Sequence, residues 1–216
     1  MKIFSIIKSA FFLSACILAL VGATATSVFA NTVTVKLTGV NGAAQGGVYV
    51  DPYSGTINGS SPLTLVCDDF AHETRIGESW TATVSDFSDL SSARFQQGSA
   101  AATLRSYDEA AYLYNALLSH PSEYGDISFA IWGLFTPSAQ HSSGFTSNSA
   151  FWLGQAESQV FTPGEFSNFI VLTPTNSRAN SAQEFITATP EPGTMVLMIT
   201  GLIAGCLLFE KKRLAA

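Results

Sequence analysis

Two uncharged apolar runs, residues 10–22 and 194–209, bracket this chain and leave the folding of any domain to the stretch between them. The second run is about 24 Å long as a helix, slightly short of the ~20 residues that span a bilayer comfortably. Pro190, Glu191, Pro192 and Gly193 precede it. Two prolines and a glycine hold neither a helix nor a central strand, so this knot reads as an extended, accessible peptide. Glu210 and the cations Lys211, Lys212 and Arg213 follow the run, and such a basic cluster resists translocation. Everything upstream then reads as cargo held outside a membrane by a marginal anchor.

The N-terminus agrees. Lys2 and Lys8 form a basic leader, residues 10–22 an apolar segment, and Val28-Phe29-Ala30 places small residues where a signal peptidase inspects them. Cleavage is expected between Ala30 and Asn31. Leu13-Ser14-Ala15-Cys16 has the look of a lipobox, but residues 17–22 would then open the mature chain with an apolar segment instead of a polar tether. The expected organisation is a signal peptide over 1–30, an exported domain over 31–188 and a C-terminal signal over 189–213. Within the tail, the motif is 190–193, the transmembrane helix 194–209 and the basic end 210–216.

Knot, run and basic end in that order resemble the PEP-CTERM sorting signal. The resemblance implies recognition by exosortase, a membrane-embedded cysteine-type transpeptidase or protease of Gram-negative bacteria that make exopolysaccharide. It makes Pro190, Glu191 and Pro192 the recognition motif, 195–209 a transient anchor and Lys211, Lys212 and Arg213 the stop-transfer end. The implied partners are the Sec translocon, signal peptidase, exosortase, the inner membrane and, at the cell surface or beyond it, exopolysaccharide of a biofilm matrix.

Between the two ends stand five basic residues (Lys36, Arg75, Arg94, Arg105, Arg178) against fourteen acidic ones, a formal charge of −9. Such a surface repels nucleic acid and offers no basic stripe for a phosphate backbone. Of the three cysteines, Cys16 belongs to the leader and Cys206 to the anchor. Cys67 is left without an intramolecular disulfide partner, so the domain must stand on its core.

Residues 32–37 alternate polar and apolar, as a half-buried strand does. Strands are also expected at 48–50, 63–67, 80–84, 169–172 and 184–187, with a turn at Asn58-Gly59. Residues 86–105 read as an irregular connector. Ser106-Tyr107-Asp108-Glu109 has the spacing of a capping box opening a helix that His120-Pro121 stops. A second helix opens near Asp126 and ends at Pro137, and a weaker third covers 148–160. Strands, then helices, then strands predict an α+β domain with a mostly antiparallel sheet. A β-sandwich with a helical insertion is the alternative.

Leu65-Val66-Cys67-Asp68-Asp69-Phe70 puts the lone cysteine at a strand end before two carboxylates, and Phe129-Ala130-Ile131-Trp132 follows on a helix. This pairing is similar to the thioester domains of bacterial surface adhesins, over roughly residues 45 to 135. There a Cys side chain is joined to a Gln side chain, and the strained bond acylates amines on matrix molecules. The resemblance places the Gln two residues before Ala130, where this chain has Ser128. A serine has no amide carbon to give, so the crosslink is expected to be absent even if the fold is shared. The plainer reading makes Cys67 a small buried hydrophobe.

A metal site from Cys67, Asp69, His72 and Glu73 fits no zinc spacing, and His120 and His141 lack local partners of the kind that would share a metal. No hydrolase elbow, metalloprotease motif or nucleotide loop is present. Asp68-Asp69 and Asp108-Glu109 read as solvated surface acids, and the tryptophans as core. No catalytic residue, cofactor or metal is therefore expected. The reading is an exported, non-catalytic surface or matrix protein, with a covalent adhesin using Cys67 or a glycan-binding module as alternatives. N-terminal sequencing of the exported protein is expected to begin at Asn31, and Ala30→Asp to leave the leader attached. An acylated Cys16 at the N-terminus would overturn that.

Overall fold

The alternation at the start of the domain decides the architecture. In Thr32–Val40 (β1), Val33, Val35 and Leu37 turn inward and the residues between them face water. A computed structural model describes residues 32–40, 42–50, 52–60, 62–176 and 181–189, and in it β1 is one stave of a closed, wholly antiparallel barrel. The other staves are Tyr53–Ile57 (β4), Leu63–Cys67 (β5), Ser79–Asp86 (β6), Phe169–Pro174 (β7) and Phe185–Ala188 (β8), in the order β1-β4-β5-β8-β7-β6. The antiparallel sheet and the three mid-chain helices agree with the expected α+β class. One sheet closed on itself replaces the alternative of two stacked sheets.

Strand composition follows from what covers each face. β1, β4 and β6 have water outside and show partial or full alternation. β7 is buried at every position, because Ile170 and Leu172 fill the barrel while Phe169 and Val171 meet the helices. Strands buried on both faces read as continuous apolar runs. Ala100–Ser119 (α1), Tyr124–Phe135 (α2) and Ser147–Glu157 (α3) make the helical layer. α2 is apolar nearly all round because it serves two cores. Ile127, Ala130 and Ile131 pack with α1 and the outer barrel face, while Phe129 and Trp132 join the barrel interior.

Several expectations need correction. Val48–Tyr49 (β3) pairs only with Ala44–Gln45 (β2), as an outlying hairpin around Gly46 and Gly47, both at positive φ. The barrel stave is Tyr53–Ile57, hidden in the sequence by Gly55. That glycine is required: a Cβ there would come within 2.3 Å of Leu65 Cδ1 and 3.0 Å of the Lys36 carbonyl. The supposed connector ends in helix, since α1 is capped by Ser99, whose side chain accepts from the Ala102 N–H at 3.1 Å. Ser106 lies inside α1, and Glu109 bonds Arg105 Nε at 2.7 Å instead of returning to a cap. α3 ends at Glu157, and Val160 stands free in solvent.

The expected signal peptide, Ala30, Asn31, the motif from Pro190 to Gly193, the run 194–209 and Lys211, Lys212 and Arg213 lie outside the described residues. Among the described residues no helix is long and apolar enough to cross a membrane.

Two glycines give opposite expectations. Gly55→Ala forces Leu65 and the β1 backbone to shift and is expected to cost about 1–3 kcal/mol. Gly154→Ala, on α3 with open space around its Cβ position, is expected to stabilise by about 0.5–1 kcal/mol. Urea unfolding of both variants beside the wild type checks the pair.

Candidate functional site

β5 delivers Cys67 to the end of the barrel, where the next two residues turn inward. The Cys67 thiol is buried, accepts from the Asp69 N–H and lies 3.3 Å from the Asp69 carbonyl. Burial, then the charges of Asp68 and Asp69, push its pKa well up, so it is a neutral thiol at neutral pH. α2 closes over it, with Trp132 Nε1 donating to the Cys67 carbonyl at 3.0 Å. One turn earlier, the Ser128 hydroxyl donates to the Val50 carbonyl. The plain reading of Cys67 as a buried hydrophobe fits this environment.

Asp68 and Asp69 are fully buried and not surface acids, and a third carboxyl, Glu184, joins them. Asp69 is paired. Its Oδ2 meets Arg94 Nη1, and its Oδ1 lies 2.9 Å from His72 Nδ1. Arg94 Nη2 also reaches Ser181 Oγ at 3.1 Å and the Ala182 carbonyl at 3.2 Å, tying the approach to β8 into the cluster. Gln183 Nε2 donates to the Asp69 carbonyl at 2.9 Å. Facing a carboxylate, His72 Nδ1 carries the hydrogen. It therefore cannot also accept from Arg94 Nη1, 3.0 Å away.

Glu184 takes three donors: Tyr107 Oη at 2.5 Å, the Arg94 N–H at 2.8 Å and the Thr173 hydroxyl. Asp68 has none on either oxygen. Burial raises both pKa values, that of Asp68 strongly, and the Glu184 charge adds to the effect on Asp68. The donors decide the order. Glu184 ionises first, and Asp68 holds its proton to higher pH.

Beside this cluster opens a cleft of about 710 Å³ between the β2–β3 hairpin and residues 70–76. Phe70 and Trp132, their rings 5.3 Å apart, line it together with Tyr49, His72, Glu73 and Arg75. Of the four residues weighed for a metal, only Asp69 and His72 meet through their side chains. Among the described residues no group of three or more His, Cys, Asp or Glu side chains is placed to hold an ion. His120 Nδ1 lies 2.8 Å from the Ala116 backbone carbonyl of the helix it caps.

Arg94 and Glu184 went unnoticed in the sequence. Arg94 is one of only five lysines and arginines between residues 31 and 189, and that scarcity was the available signal.

Neither a protein-family model nor a curated protein matches the sequence. Among solved structures, the N-terminal thioester domain of fibronectin-binding protein SfbI from Streptococcus pyogenes is similar at a TM-score of 0.38 and 7% identity. The match covers 77% of this chain and 97% of that one. At that distance the likeness carries no argument about activity.

The raised carboxyls set a direction for stability. Asp68 and Glu184 hold protons in the fold that the unfolded chain releases near pH 4, so their contribution falls as pH rises through their folded values. Asp108, pushed up to about 6 mainly by burial, acts the same way. Asp126 opposes them. Burial raises its pKa, but hydrogen bonds from Thr146, Asn148, Gln45 and Ser149 outweigh it, so its contribution is lost on acidification below about pH 4. The protein is expected to melt higher at pH 5 than at pH 8, and Asp68→Asn, which keeps the site neutral, to shrink that gap. Each kcal/mol lost corresponds to roughly 2–4 °C. Thermal melts at the two pH values check it.

Proposed function

We propose that this chain is an exported, non-catalytic surface protein, carrying a binding domain to the cell exterior through a tail processed by exosortase. The observation that carries the reading is that all six barrel strands lie between the two expected processing points. The compact unit runs from Ala30 to Thr189. Its first strand begins at Thr32, one residue after the expected leader cleavage. At the other end, the Thr189 N–H and hydroxyl both donate to the Asn168 carbonyl, at 2.7 and 2.8 Å, one residue before Pro190. Cutting at either expected processing point therefore leaves the barrel strands whole.

A non-catalytic role is supported by the state of the one thiol. Cys67 is shut in by α2 and kept neutral by burial, which deprives it of the thiolate that attacks a substrate. Ser128 supplies no amide for a thioester, and its hydroxyl is engaged by Val50.

Changing Pro190, Glu191 and Pro192 together to alanine tests the reading. Export is expected to continue, while the variant accumulates in the inner membrane at full mature length, because alanine lets the apolar helix extend into the segment the protease must read. Changing Lys211, Lys212 and Arg213 to serine is expected to weaken retention instead. Wild-type maturation and surface delivery of the triple-alanine variant, followed by fractionation and intact mass, would sink the assignment.

A further inference from the structure

The cleft beside His72 has the make-up of a ligand site. Its volume of about 710 Å³ falls within the roughly 300–1,000 Å³ of small-molecule pockets. Phe70 gives it apolar surface, Trp132 lies in its wall at only 2% exposure, and Tyr49 stands at its lip half in water, 51% exposed. Tyr49 belongs to a two-residue strand of the outlying hairpin, where its ring adds little to either core. Two opposite charges, Glu73 and Arg75, line the cleft, and among the described residues their side chains form no ion pair. The last polar group is fixed in direction. In the neutral imidazole of His72, Nδ1 donating to the buried Asp69 leaves Nε2 as a hydrogen-bond acceptor.

A carboxylate acceptor, an imidazole acceptor and a guanidinium donor, grouped beside exposed aromatic surface, suit a ligand whose polar groups both donate and accept. Hydroxyls do this, and a sugar ring carries them around an apolar C–H face. The formal −9 of the exported stretch disfavours polyanions. We propose that this cleft binds a neutral oligosaccharide, with one ring against Tyr49, hydroxyls held by Glu73 and Arg75, and one hydroxyl donating to His72 Nε2. The proposal rests on the reading of the domain as an exported binding module and names its ligand class.

The test uses the full chain purified in a sugar-free detergent and titrated with cello-, malto-, manno- and chito-trisaccharides by calorimetry and tryptophan fluorescence. Trp132 lines the cleft whereas Trp80 and Trp152 do not, so emission reports occupancy. At least one trisaccharide is expected to bind saturably. Tyr49→Ala and the double variant Glu73→Gln/Arg75→Gln are each expected to weaken it tenfold or more at an unchanged melting temperature, since all three side chains are exposed. His72→Gln is a further probe of the acceptor. The proposal is overturned if no trisaccharide binds, if the variants bind like the wild type, or if a uronic-acid trisaccharide or an amphipathic peptide binds more tightly than every neutral sugar. Cleavage of the bound sugar, read by mass spectrometry, would instead defeat the non-catalytic reading and leave the site standing. Failed sorting in cells would leave the titration unaffected.

Discussion

The pairing of Arg94 with Asp69, and the Glu184 carboxylate beside it, hold the parts of this domain together. Asp69 follows β5, Glu184 precedes β8, and Arg94 sits in the segment between β6 and α1. Tyr107 of α1 and Thr173 of β7 complete the set through Glu184. Removing one partner of a buried ion pair generally costs about 3–5 kcal/mol, because the other charge is stranded out of water. Here the loss would reach two strands, a helix and the approach to β8 together. The cluster also explains how three carboxyls share one burial site. Asp69 has Arg94 and His72, Glu184 has its donors, and Asp68, with neither, is pushed toward its neutral form.

That cluster lies where two cores meet. One fills the barrel and the other lies between its outer face and the helices, with α2 contributing to both. The same helix supplies the Trp132 indole that bonds the Cys67 carbonyl and lines the cleft. A ligand in the cleft would therefore touch residues whose positions are fixed from behind by packed aromatic rings and by Asp69. Such a site has little reorganisation to undergo on binding. Its lip is different, for the β2–β3 hairpin is held by Gln45, whose amide donates to the Gly144 carbonyl at 2.7 Å and to Asp126 at 3.2 Å, and by the Tyr53 hydroxyl, which donates to the Tyr49 carbonyl at 2.8 Å.

The sequence alone determined the elements whose cause is local. Alternation marked β1 and β6, apolar runs marked β5 and β7, Asn58-Gly59 marked a turn, and the period of α2 marked its helix. It also located the last strand next to the proline knot and left Cys67 without a partner. Tertiary structure decided what depends on distant neighbours. Gly55 makes a poor strand residue until Leu65 needs the space. Val48–Tyr49 makes a good one until the barrel closes without it. Asp68 and Asp69 read as surface acids because adjacent carboxylates ordinarily seek water. Arg94 and His72, 25 and 3 positions from Asp69, make its burial tolerable, while Glu184 pushes Asp68 toward its neutral form. Periodicity records which face of an element is apolar. Only the closed fold settles which charges meet inside it, because their compensation comes from residues that no local pattern connects.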